Sequence, residues 1–137
     1  LLSFFLITKQ PIFISMENNT FSLKGFVKSY SGNQMNINEA KTIVKKSYKL
    51  LVVEGIHKHY GSSDFDITSS NSNYKIIKTK VNGEFDVELN KGFYTFFLLK
   101  DDKAYLNNFD GAGNYSHIEV KDDINNFIIR DYQKAYF

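Results

Sequence analysis

The stretch from Thr79 to Leu98 constrains this chain more than any other. Phe85, Val87 and Leu89 alternate with Glu84, Asp86 and Glu88. A period of two puts apolar side chains on one face of an extended strand and charges on the other. Asn82-Gly83, just before it, predicts a tight hairpin turn, because both residue types accept the positive φ such a turn demands. Asn90-Lys91-Gly92 predicts a second turn. The run Phe93-Tyr94-Thr95-Phe96-Phe97-Leu98-Leu99 is too apolar for a strand with one wet face, so both its faces are expected to be covered.

The same grammar runs through the rest of the chain. Phe21 to Ser29 reads as a first strand with Phe21, Leu23 and Val27 inward, and Gly25 within it predicts a bulge or a close backbone approach. Asn38 to Leu51 is ambiguous. Asn38 can cap a helix, and Ala40, Ile43, Val44, Ser47 and Leu51 fall near helical spacing. The reading is a short helix or loop over residues 38–48, then a strand to His59; a wholly extended segment is the alternative. Gly61 to Asn73 is a polar loop with room for a short strand at Phe65-Asp66-Ile67. Tyr74 to Ile77 leads into the central stretch. Lys100-Asp101-Asp102-Lys103, Asp110 to Asn114 and Lys121-Asp122-Asp123 are turns. Between and after them lie strand-like runs at Ala104–Phe109, Tyr115–Val120 and Asn125–Tyr132. About seven short strands separated by Gly, Asn and Asp turns predict an all-β antiparallel sandwich.

The chain has 137 residues, enough for one domain with one core. Its 17 basic and 15 acidic residues interleave to a net charge of +2, which leaves no footprint for nucleic acid. With no cysteine, disulfides, thiolate metal sites and cysteine nucleophiles are excluded. No apolar run reaches the roughly 18 residues that span a bilayer. Leu1 to Ile7 is apolar, and residues 1–15 read either as the remnant of a secretory signal peptide or as an N-terminal strand running past Pro11 to Ile14. The single domain is expected over residues 16–137, with Met16 as an alternative start.

Thr79, Gly83, Phe85, Leu89, Gly92 and Tyr94, in that spacing, resemble the signature of the carboxypeptidase regulatory-like domain family. Phe21 to Val27 with the turn Ser31-Gly32, and Ala104-Tyr105 followed by Asn108-Phe109-Asp110-Gly111, are similar to its first strand and last hairpin. The likeness covers residues 21–137. It departs at Asn82, where the family usually has Asp, and in lacking a Pro before the second turn glycine; the segment from Asn33 to Tyr60 is also long. The resemblance implies a transthyretin-like (prealbumin-like) sandwich outside the cytoplasm: periplasmic, on the outer membrane surface or secreted. It implies a non-enzymatic structural or binding role at the bacterial cell envelope, toward a protein or envelope component, without a cofactor.

Residues that could carry chemistry are few. His57 and His59, two apart on an expected strand, would point to the same side and could hold zinc if His117, Asp64 or Asp66 joined them. That would make a small metal-dependent hydrolase; the plainer reading is two histidines at a strand edge. Asp110 and Asn114, with Asp101 and Asp102 near, offer oxygens to calcium but lack the closing acidic residue of a calcium-hand loop. No Gly-x-Ser-x-Gly turn is present. Tyr60, Tyr105, Tyr115, Tyr132 and Tyr136 exceed what one small core can hold. As candidate contacts they are expected at the surface, where tyrosine rings can stack on a glycan or a protein partner; the plainer reading is that they cap the open ends of the sandwich. A carbohydrate-binding module is therefore the alternative function.

Overall fold

The computed structural model describes residues 20–33, 35, 41–43 and 47–136. Among these, ten strands follow in chain order: β1 (Thr20–Asn33), β2 (Lys41–Ile43), β3 (Lys49–Glu54), β4 (Asp64–Phe65), β5 (Tyr74–Lys78), β6 (Glu84–Asn90), β7 (Gly92–Lys100), β8 (Lys103–Tyr105), β9 (Ile118–Val120) and β10 (Ile124–Tyr136). The only helical element among the described residues is a single 3-10 turn, Ile67–Ser69, capped by the Asp66 carboxylate. No described helix is long and apolar enough to cross a membrane. The readings of residues 1–15 lie outside the described residues.

Two sheets form the all-β sandwich that the sequence predicts. In the first, β1 is central, with β10 along one edge and β6 and β2 sharing the other. In the second the order is β4-β8-β7-β3-β5, and β9 also pairs with β7. Between the sheets, Leu23, Val27, Phe85, Val87, Leu89 and Ile129 meet Leu50, Val52, Tyr94, Phe96, Leu98 and Val120. The alternation of β6 is realised, with Phe85, Val87 and Leu89 buried and Glu84, Asp86 and Glu88 in water.

Several expectations change. The sandwich is not purely antiparallel: β1 and β10 run parallel, pairing residues about a hundred positions apart. The helix over 38–48 is overturned at Lys41–Ile43, which is strand β2 on β1. The β-branched pair Thr42-Ile43 suits that edge better than a helix. β3 stops at Glu54 rather than His59, because Gly55 turns the chain at φ +100.

The two glycine turns do not close hairpins. β5 belongs to the second sheet, β6 to the first and β7 to the second again, so each turn carries the chain across the sandwich. At the first, only Gly83 of the Asn82-Gly83 pair takes positive φ, and its N–H closes on Lys80 O at 2.9 Å. Its backbone docks on β1: Val27 N–H donates to Gly83 O at 3.0 Å, and a Cβ on Gly83 would stand 2.7 Å from Val27 O. Gly25 shows the close backbone approach expected of it, and the extra residue lies opposite it, on β10. The β1–β10 register shifts there, Asn126 takes φ +62, and a Cβ on Gly25 would fall 2.1 Å from Phe127 O.

One end of the core is closed by polar groups. Asp131, almost fully buried, takes a 3.0 Å ion pair from Lys100 across the two sheets. The Tyr48 hydroxyl lies beside Ser29 and Asp131, and burial raises its pKa.

Candidate functional site

Strand β7 is covered on both faces, as its composition predicts. Its inner face meets the first sheet. Its outer face, with Leu51 and Val53 of β3, Phe97 of β7 and Ala104 of β8, is roofed by two segments made mostly of loop, residues 55–70 and 106–117, contributing Phe65 of β4, Ile67, Leu106 and Tyr115. The roof starts where Gly55 N–H donates to Phe93 O at 2.7 Å and the buried Thr95 hydroxyl donates to Gly55 O at 3.0 Å.

Tyr115 holds the two segments together. It is 1% exposed, so the expectation that it stands at the surface is corrected. Its ring meets Phe97 edge-on at 4.9 Å and Phe65 at 6.0 Å. Its hydroxyl reaches across to the carbonyls of Ser62 and Asp64, at 2.8 and 2.9 Å. Burial, with Asp64 nearby, raises the pKa of that hydroxyl. A run of backbone bonds closes the rest: Tyr115 N–H to His57 O, His59 N–H to Gly113 O, Leu106 N–H to Ser63 O and Ser116 N–H to Asn108 O. The polar neighbours Gly113 and Asn114 hide this residue from a reading of the sequence. The one clue is that a tyrosine with a hydroxyl to satisfy can sit deep where carbonyls are available.

The three histidines do not converge. His57 Nε2–H donates to Glu54 O at 2.9 Å, and its ring meets Phe65 edge-on. His117 Nδ1–H donates to Tyr115 O at 3.1 Å, with Asp110 Oδ2 4.0 Å away. His59 Nδ1 accepts the Gly61 N–H at 2.7 Å. Since a backbone N–H can only donate, the neutral His59 ring carries its proton on Nε2. No three His, Asp or Glu side chains among the described residues are grouped to hold a metal ion.

The loop Asp110 to Asn114 is a turn that satisfies its own carboxylate. Asp110 accepts Ala112 N–H at 2.7 Å, Asn114 N–H at 3.1 Å and Asn114 Nδ2 at 3.0 Å. These bonds, Ala112 N–H foremost, hold its carboxyl below the ordinary range.

Among the tyrosines singled out, Tyr105 is half-buried, packed against the inter-sheet core, with its pKa raised chiefly by burial. Tyr132 is half-buried and stacks on Tyr30 at 4.9 Å. The side chain of Tyr136 lies outside the described residues. Among those whose side chains are described, Tyr60 alone is a surface group, 88% exposed. It sits at φ +51 with Gly61 at φ +78, and Ser62 N–H closes the turn on His59 O at 2.9 Å, as in a type I′ turn. A bulky side chain is costly in that conformation, where Gly or Asn is the usual occupant. Beside it, His59 lies on Phe109, ring centres 4.2 Å apart, and Phe109 is itself partly exposed.

Compared with family models, curated proteins and solved structures, the chain gives no match in any of the three. Fold and site define a two-sheet β-sandwich with a loop layer built over one outer face.

Proposed function

We propose that this chain is a non-enzymatic binding module that acts outside the cytoplasm, at the bacterial cell envelope, and holds a protein or envelope component through its loop layer. The observation that carries the reading is the contrast within that layer. Its underside is fixed by Tyr115 and a set of backbone bonds, while Tyr60 above contributes no packing and occupies a costly backbone conformation. Rigid support under exposed aromatic loop residues is what a recognition surface requires. The lack of convergence among His57, His59 and His117 supports binding over catalysis. The resemblance around Thr79 to Tyr94 supports the extracytoplasmic setting.

Cosedimentation of the purified domain with washed envelope fragments of the source cells tests the proposal. The wild type is expected to sediment with the fragments, and a Tyr60→Asn, Phe109→Ser double variant to stay in solution. A wild type that remains in the supernatant, or a double variant that sediments equally, contradicts it.

A further inference from the structure

We propose that His59, Tyr60 and Phe109 form a stacking site for a pyranose ring of an oligosaccharide; the inference rests on the loop-layer reading above and names its ligand class. The first support is what the fold leaves unexplained. Tyr60 is 88% exposed on a turn whose geometry Asn or Gly would adopt at lower cost, so nothing in folding calls for a phenol ring there. The second is chemistry beside it. The Gly61 N–H bond to Nδ1 fixes the neutral His59 tautomer, and no described protein group accepts from Nε2–H. A fixed donor thus adjoins ring faces. The third is the rim. Ser62, Asn107, Asn108 and Asp110, next to these residues in the chain, are exposed and polar.

A sugar ring asks for this combination. Its C–H face packs on an aromatic ring, while its hydroxyls and ring oxygen need donors and acceptors around the edge. A purely apolar partner would leave the His59 donor and the amide rim unpaired on burial, at a cost for each group. Tyr60, directly following His59, supplies area with few rotors to freeze and a hydroxyl at its tip.

The test is calorimetric titration of the full chain with chitohexaose, cellohexaose, xylohexaose and maltohexaose, repeated on Tyr60→Asn, with thermal melts of both proteins. The inference expects saturable binding of at least one of these, weakened about tenfold or more by Tyr60→Asn. It also expects the variant to melt at the wild-type temperature or above, since Asn accepts the left-handed turn. That pairing separates a ligand contact from a structural residue, whose loss would lower the melt. Binding of none of the four sugars, or equal binding by Tyr60→Asn, overturns the inference. If the sugars fail while envelope cosedimentation persists and depends on the loop layer, only the sugar assignment falls. If cosedimentation fails as well, the loop-layer reading falls with it.

Discussion

Strand β7 packs on both sides, and its two faces are covered in different ways. On the inner face, Tyr94, Phe96 and Leu98 meet side chains from another sheet, set by alternation along regular strands. On the outer face, Phe97 meets irregular loops held by one buried tyrosine hydroxyl and a handful of backbone bonds. The inner contact is non-directional apolar burial, spread over many residues and tolerant of small change. The outer contact concentrates its specificity in Tyr115 and can be loosened at one point. Stability therefore belongs to the inner face, and the outer cover is free to carry aromatic groups that folding does not need.

The largest expected effect breaks the inner side of this comparison. Gly25→Ala puts a Cβ 2.1 Å from Phe127 O, so β1 and β10 must part there. The expected loss is about 3 kcal/mol or more of global stability, read from urea denaturation. A loss below about 1 kcal/mol would mean that β10 shifts easily and the first sheet is less rigid than described.

A smaller change addresses the outer side. Tyr115→Phe keeps the ring against Phe97 but removes the bonds to Ser62 O and Asp64 O. The expected cost is about 1–2 kcal/mol. Unlike that of Gly25→Ala, it should be confined to the roof, with the chemical shifts of β1, β6 and β10 unchanged in an NMR spectrum.

The smallest effect comes with acid. Asp110 has its carboxyl pKa lowered by turn donors, so its contribution is fully present above the ordinary carboxylate range. It is lost only as pH falls through the lowered value. Acid titration should therefore move the amide signals of Ala112 and Asn114 at a lower pH than those beside carboxylates with no such donors. Asp110→Asn should remove that step.

How much of this was legible follows from the physics of each element. The alternation at Phe85, Val87 and Leu89 is a local pattern, and so is the double-faced apolarity of β7; both were readable. Asn82-Gly83 announced a turn, but turn chemistry is local, and whether the flanking strands share a sheet depends on pairing elsewhere. The parallel match of β1 with β10 joins residues a hundred positions apart and leaves no local trace. The helical spacing through Ala40 and Ile43 misled because the β-branched pair at Thr42-Ile43 outweighs it at a sheet edge. At the site, a surplus of tyrosines says that some stay out of the core but not which: Tyr60 is exposed, while Tyr115 finds buried carbonyls.

Native-state hydrogen exchange tests the central claim most directly. The amides of His59, Leu106 and Tyr115, which bond across the two roof segments, should exchange together as one unit. Their opening free energy should lie below that of the amides of β1 and β7. Tyr115→Phe should lower the roof value by about 1–2 kcal/mol and leave it still below the sandwich value. Exchange of the roof and the sandwich at one common free energy would contradict the account.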